Sequence, residues 1–454
     1  RKFFREEVKA GRFVRFRFLE GPGESKDGVL FRRRKPGAFR CFCCRFCLLC
    51  PKLLFLAHSV LFLFRYGRFS FMNSGKLSIY IHIPFCVSKC AYCSFLSSPV
   101  KQGDTVRYVE LVRREIAMWS ERFGNREIYS VYFGGGTPSL LSARQVKSIV
   151  DEIKADFPLK NDAEITLEMN PASGNGTFIR NLAKTGVNRV SVGFQTCDDA
   201  ILKELNRPHT RADFIATVNK LKRADYTDIS ADIMLGLPHQ NMTTLKRTLE
   251  ILLQLEIPHI SVYALKLEKG TPLYKAVNNG HLFLPDDDES ADMYDYAYKT
   301  LEENKIYRYE VSNFARVGFE CRHNINYWER GEYIGVGTGA HGFIGDVRYS
   351  NLRDIEKYAY RISSENKLPV SVRNKLSLKE AEFEFIILAL RMDRGLDVDK
   401  FNALFYTDFI KRYDSVLKKL EKIGLITYDE HNVAVRPEKM GVLNSLLVEF
   451  MTDD

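Results

Sequence analysis

From residue 78 onward the chain repeats one unit, a short run rich in Val, Ile, Tyr and Phe followed by a longer stretch whose apolar residues recur at helical spacing. The short runs are SIYIHI (78–83), IYSVYF (128–133), EITLEM (164–169), RVSVGF (189–194), DISADIML (228–235) and HISVYAL (259–265); helical patterns fill 108–123, 145–157, 177–186, 213–224 and 244–255 between them. A helix between two strands returns the chain to the end of the sheet from which it left, so the strands pair in parallel. The expectation is an α/β fold, a (β/α) partial barrel, with a doubly wound open sheet as the structural alternative. In a barrel the chemistry sits at the C-terminal ends of the strands, which directs attention to the residues just after each run.

With 454 residues the chain exceeds one ordinary core. Four segments are expected: 1–71, a core barrel over 72–310, a connecting region over 311–375 and a C-terminal unit over 376–454. The last begins with the helical LSLKEAEFEFIILALRM and closes on the hairpin pattern GLITYDEHNVAVRPEK, which reads as winged-helix-like. It carries Glu380, Glu382 and Glu384 in its first helix and no dense basic stripe, so a structural or partner-docking role is expected rather than nucleic-acid binding.

The formal charge of +10 is concentrated in residues 1–71, which hold 17 Lys/Arg against 5 Asp/Glu and leave 50 against 52 for the rest. That first segment has no helical or strand period, and its apolar run at 53–64 is short beside the roughly 20 residues a membrane span needs. Its CFCCRFCLLC cluster, Cys41 to Cys50, lies in no recognisable strand or turn context. Met72 opens a natural start, so residues 1–71 are expected to be a leader or upstream-translated stretch outside the fold. Sparse cysteine in the remainder points to reduced thiols, with the cytoplasm as the default location.

The strongest chemical signal is CVSKCAYC, which places Cys86, Cys90 and Cys93 in a loop directly after the first strand pattern. Three neighbouring thiols are a strong metal signal. Structural zinc closes with four ligands, and the sole further candidate here is His82, set back in the strand. An iron-sulfur cluster held by three cysteines leaves one iron open to a cofactor or substrate. Other groups follow at successive strand ends: GGGTP (Gly134, Gly135, Gly136, Thr137, Pro138), EMNP from Glu168, SVGFQ to Gln195 and DIMLGLP from Asp232. Glycine allows close backbone approach, so exposed amides in the first of these could contact a polar ligand. Any one of these groups alone reads as a cap or surface residue; their recurrence at strand ends suggests a ligand site.

The C-x3-C-x2-C spacing resembles the radical S-adenosylmethionine (SAM) superfamily. YIHIPFCVSKCAYCSF, GGGTPS, EMNP, SVGFQT, DIMLGLP, YEVSNFA and HNINYW together resemble its HemN/HemW family, over about residues 78–440. The resemblance implies a radical SAM partial barrel with a C-terminal domain of the HemN type. It implies a 4Fe-4S cluster on Cys86, Cys90 and Cys93, whose open iron chelates SAM and can cleave it to a 5′-deoxyadenosyl radical. It also implies SAM contacts at Tyr80, Tyr92, Gly135, Gly136, Thr137, Glu168, Gln195, Arg207 and Asp232. The decarboxylating members carry a further cysteine two positions after the third, where this chain has Phe95 after Ser94. That favours the haem-chaperone branch, with haem and haem-accepting proteins as partners, an electron donor such as a flavodoxin or ferredoxin, and a membrane-associated acceptor as one form of target. An oxygen-independent coproporphyrinogen III oxidase is the alternative, and a zinc protein binding nucleic acid through its C-terminal unit is the third reading. In HNINYW, His323 could ligate haem iron while Tyr327 and Trp328 pack on the porphyrin, with Cys321 as a competing thiolate.

Overall fold

A computed structural model describes residues 76–451, so the reading of residues 1–71 and of the Cys41–Cys50 cluster lies outside the described residues. The expected strands form as β1 (Lys76–Ile83), β2 (Glu127–Gly135), β3 (Leu159–Met169), β4 (Arg189–Gln195), β5 (Asp228–Leu235) and β6 (His259–Ala264). Between them run α1 (Asp104–Phe123), α2 (Ala143–Asp156), α3 (Gly176–Leu182), α4 (Arg211–Lys222) and α5 (Met242–Gln254). Capping boxes start two of these helices, Ser142 with Gln145 and Thr210 with Asp213, each satisfying backbone N–H groups that the first turn leaves open.

Strand order decides between the two architectures. The strands β1 to β6 lie side by side in chain order, all parallel. A doubly wound sheet reverses its order part-way; this one does not, and its ends are not joined to each other, so it is an open, partial barrel.

The region 311–375 contributes to the same sheet. After α6 (Asp287–Glu303), the stretch YRYEVSNF is a tight pair, β7 (Tyr307–Glu310) and β8 (Asn313–Ala315), and β8 joins β6 antiparallel. The short helix α7 (Arg322–Trp328) leads to β9 (Tyr333–Val336), which adds in parallel on the other side of β1. The antiparallel strands β10 (His341–Ile344), β11 (Val347–Asn351) and β12 (Val370–Lys375) extend that edge. Glycine concealed this stretch in the sequence: Gly335 sits inside β9, where an added Cβ would fall 1.8 Å from the His341 carbonyl oxygen.

Period-two alternation divides each strand. On β5, Ile229, Ala231 and Ile233 are buried in the main apolar core. The intervening Asp228, Ser230 and Asp232 meet polar groups of adjacent strands: Arg189 lies 3.3 Å from Asp228, Ser230 Oγ 2.7 Å from His259 Nδ1, and Ser191 Oγ 3.2 Å from Asp232. The barrel interior is therefore polar, and the greasy face is the one covered by helices.

The C-terminal unit, with α8 (Leu378–Ala389), α9 (Val398–Phe405), α10 (Asp414–Lys422) and a three-stranded sheet of β13 (Leu396–Asp397), β14 (Ile426–Tyr428) and β15 (Asn432–Val435), has the winged-helix-like order expected. Among the described residues, no helix is long and apolar enough to cross a membrane.

One buried carboxylate ties α1 to the far side of the sheet. Glu115 is fully buried and accepts from Gly337 N at 2.8 Å, Tyr358 Oη at 2.7 Å, Asn351 Nδ2 at 2.7 Å and Trp119 Nε1 at 3.4 Å. Glu115→Ala removes the shared acceptor of four buried donors, of which Asn351 Nδ2 keeps the Gly337 carbonyl at 3.0 Å, and is expected to lower the free energy of unfolding by about 3 kcal/mol, measured by urea denaturation.

Candidate functional site

The cysteine loop leaves the C-terminal end of β1 and is closed at its base by a parallel two-residue pair, Phe85–Cys86 with Ser98–Pro99. Cys86, Cys90 and Cys93 are all half-buried within it. The Thr137 hydroxyl donates to Cys86 Sγ at 3.7 Å, and Arg207 Nη1 donates to Cys90 Sγ at 3.5 Å. A hydroxyl and a cation are thus directed at two of the three sulfurs.

Arg207 joins the loop to the barrel. Its Nη2 donates to the Gly193 carbonyl at 2.8 Å. Burial opposes its charge, but Tyr92 and Cys90 beside it outweigh that cost and raise its pKa. Gly193 is glycine for steric reasons: an added Cβ would lie 3.0 Å from both Arg207 Nη2 and Gln195 Nε2, so Gln195 and Arg207 converge there. On the adjacent strand Gly193 is in register with Asp232, and Asp232 accepts from Ser191. Ser191 in turn is in register with Glu168 on β3, and Glu168 accepts from Tyr132 Oη at 3.0 Å and from Gly135 N at 3.2 Å. The structure thus brings Cys90, Tyr92, Arg207, Gln195, Asp232, Glu168 and Gly135 into one chain of neighbours across four strand ends.

The glycine turn works differently from the expectation of exposed amides. Gly135 N donates to Glu168, Gly136 N to the Ile83 carbonyl at 2.7 Å and Thr137 N to the Phe85 carbonyl at 2.7 Å. The amides are spent on holding the turn against β1 and Glu168, so a cationic ligand group would be met by carbonyls or by the Glu168 carboxylate. Small size is required here because rings press from within. Gly135 has φ +112°, and an added Cβ would lie 2.5 Å from the His82 ring; at Gly134 it would lie 3.0 Å from both Tyr80 and Tyr132.

His82 is not a fourth zinc ligand. Its Nε2 lies 2.9 Å from the Leu96 carbonyl, an acceptor only, so Nε2 carries the proton and Nδ1 accepts from Tyr80 Oη at 3.1 Å. Neither nitrogen keeps a lone pair for a metal, and burial lowers its pKa to about 4. The pair fastens Tyr80 to the far end of the cysteine loop.

His323 is not brought to this mouth. It lies against Ser130, Glu164 and Arg189 near the beginnings of β2, β3 and β4, the opposite end of the barrel, and is fully buried. Its Nδ1 is 2.8 Å from Ser130 Oγ and its Nε2 is 2.9 Å from Tyr327 Oη, so both nitrogens are engaged. Cys321 is equally buried, donates to Glu164 at 3.4 Å, and burial pushes its thiol pKa up, away from the thiolate. The expectation that one of them reaches haem iron is corrected for this conformation: α7 is the floor of the barrel.

The sequence reading missed Tyr132, Ser191 and His209. The first two stand two residues before Gly134 and Gly193 on the same strands, so the period-two rule carried the signal. His209 lies 3.2 Å from the Phe194 carbonyl, and burial together with the charge of Arg207 lowers its pKa to about 3. Gly135→Ala is expected to cost at least about 2 kcal/mol of stability through strain and displacement of His82. Gly441→Ala, with nothing within 4 Å of the added carbon, is expected to stay within about 0.5 kcal/mol of the parent. Thermal unfolding of the pair checks both.

The pattern of the radical SAM superfamily matches residues 80–252, and that of the HemN C-terminal domain matches residues 376–438. The chain is 35% identical to a protein named heme chaperone HemW from Lactococcus lactis over 83% of this chain and 98% of the relative, and 33% identical to one from Bacillus subtilis over 78% and 94%. It is 34% identical to radical S-adenosyl methionine domain-containing protein 1, mitochondrial, from Bos taurus, over 84% and 88%. The solved structure of coproporphyrinogen III oxidase, HemN, from Escherichia coli shares the fold, with a TM-score of 0.73 at 21% identity over 84% of this chain and 91% of that one. A radical SAM barrel, a HemN-type C-terminal domain and 33–35% identity over nearly the full length of the Lactococcus and Bacillus relatives place the chain in the HemW family of radical SAM proteins.

Proposed function

We propose that this chain is a haem chaperone that holds a 4Fe-4S cluster and SAM at the barrel mouth, binds haem and delivers it to haem-requiring acceptor proteins. The observation that carries the cofactor reading is the continuous set of neighbours from Gly135 and Glu168 through Ser191, Asp232 and Gly193 to Arg207 and Cys90. Cys86, Cys90 and Cys93 would hold the cluster, which when bound supplies one open iron to chelate SAM and one-electron chemistry. The donor set fits in kind: three half-buried thiols share one loop, with hydroxyl and guanidinium donors on two of the sulfurs and His82 withheld from ligation, while among the described residues the sulfurs are not drawn together into a formed metal-ligating group.

Each group matches a part of SAM by charge. Glu168 and the carbonyls of the Gly135 and Gly136 turn suit its ammonium, Arg207 its carboxylate, and Asp232 and Gln195 its ribose hydroxyls and purine, with Tyr80, Tyr92 and Thr137 completing the wall.

The chaperone reading rests on the Lactococcus and Bacillus relatives being named heme chaperones, with nearly all of their length spanned by this chain, and on Phe95 standing where the oxidase carries a further cysteine. Beside the loop the partly buried Tyr92, Tyr263, Leu265, Leu267 and Leu282 pack against a buried apolar cluster of Ile201, Leu205, Met234, Leu237 and Leu273, and Phe95 and Val87 are exposed. Such a rim suits a flat apolar ligand better than the floor at His323 does. A flavodoxin or ferredoxin is the proposed electron donor, a membrane-associated protein one form of acceptor, and the cytoplasm the proposed location.

Anaerobic reconstitution should yield a brown protein with 4Fe-4S stoichiometry that then binds haem in titration and forms no protoporphyrinogen IX from coproporphyrinogen III; robust product formation would move the assignment to the oxidase. Cys90→Ala is expected to lose the cluster. Asp232→Ala should keep its iron and sulfide and bind SAM about tenfold more weakly by equilibrium dialysis.

A further inference from the structure

The barrel floor and the mouth are joined by stacked rings. The His323 ring stacks on Tyr132 with centroids 5.1 Å apart and planes at 27°. Tyr132 also stacks beside Tyr80 at 6.3 Å and 23°, and Tyr80 reaches the cysteine loop through His82 and the Leu96 carbonyl. Above, the Tyr132 hydroxyl donates to Glu168 Oε1, while Glu168 Oε2 takes the Gly135 amide. Gly134 lies beside the Tyr132 and Tyr80 rings, and a single carbon added there would lie 3.0 Å from each.

His323 is itself held rigidly. Its backbone N–H and that of Arg322 donate to Glu164 at 3.0 and 2.7 Å, its Nδ1 meets Ser130, which meets Ser78 at 2.8 Å, and its Nε2 meets Tyr327, packed edge-on against Tyr333 at 4.6 Å. Every neighbour is on the wall or floor of the same barrel. A group so placed has no route to an external ligand, but it fixes the height and tilt of the Tyr132 ring.

We infer that His323 is a positioning residue for the SAM site, acting through the ring of Tyr132 to set the Glu168 carboxylate and the Gly135 turn. The inference rests on the reading of the mouth as a SAM site. It gives HNINYW a task at that site other than ligation of haem iron, and it predicts that the ring face of His323 matters more than its nitrogens.

The test uses the full-length, cluster-reconstituted protein and radiolabelled SAM in anaerobic equilibrium dialysis, with thermal unfolding and a haem titration on each variant. His323→Ala should weaken SAM binding about tenfold, Tyr132→Phe by a similar factor, and the double variant by no more than the larger single effect. His323→Phe, which keeps a ring over Tyr132 and removes both nitrogens, should bind SAM within about threefold of the parent. Haem absorbance should be unchanged in His323→Ala and His323→Phe. Unaltered SAM affinity in His323→Ala, or loss of the haem axial-ligand signature in His323→Phe with SAM binding intact, would overturn the inference while leaving the SAM site standing. Should His323→Ala fail to fold, Tyr132→Phe deletes one hydroxyl, and undiminished SAM affinity there would overturn it equally. Failure of the parent protein itself to bind SAM would remove the reading of the mouth and the inference with it.

Discussion

The structure depends on the cost of burying polar groups. Period-two alternation turns one face of every central strand to the helices and the other to the barrel interior, and the interior set includes Ser78, Tyr80, His82, Ser130, Tyr132, Glu164, Thr166, Glu168, Arg189, Ser191, Asp228, Ser230, Asp232, His259 and Ser261. Each such group withdrawn from water without a partner costs on the order of 1–3 kcal/mol. A lumen of this composition is stable only as a network. At the floor the network is closed by the chain itself: Glu164 takes the first N–H groups of α7, Arg189 faces Asp228, and Ser230, His259 and Tyr309 run in series to the Cys321 amide. At the mouth the groups meet at the cysteine loop, and the same physics makes that end receptive to a polar ligand.

This division explains why one barrel separates a rigid end from a chemical end. Parallel strands present all their C-terminal ends on one side, so residues far apart in sequence, from Cys90 to Asp232, become neighbours without any long loop to position them. The glycines at 134, 135 and 193 are the corresponding concession. Each is small because a functional ring, guanidinium or amide occupies the volume a side chain would have taken.

Much of this was legible in the sequence because it follows from short-range periodicity. The six strands, five crossover helices and the winged-helix-like end lay within a few residues of their expected positions, and the cysteine spacing and strand-end motifs marked the mouth. What escaped depended on long-range pairing. Nothing local in RHNINYW tells whether the segment lies at the top or the bottom of a barrel; Glu164, more than 150 residues earlier, decides it by accepting the N–H groups of Arg322 and His323. Likewise GVGTGAHGF is a glycine-rich patch with no strand pattern of its own, and β1 and β10 supply the partners that make part of it a strand. Glycine lowers intrinsic strand preference, and tertiary pairing overrides it.

The acidic residues of α8 complete the same logic. In sequence they weighed against a nucleic-acid surface; in the structure they have separate tasks. Glu380 caps the helix on Ser377, Glu382 pairs with Arg412 inside the C-terminal unit, and Glu384 reaches the barrel, taking Arg330 Nε at 2.9 Å and Arg348 Nε at 3.0 Å. Arg330 follows α7 by two residues and Arg348 lies on β11. Both arginine heads are largely buried, where a lone charge would be costly, so the shared carboxylate couples the C-terminal unit to the floor helix instead of merely decorating a surface. The winged-helix-like unit thereby braces the segment that carries His323, on the floor side of the barrel.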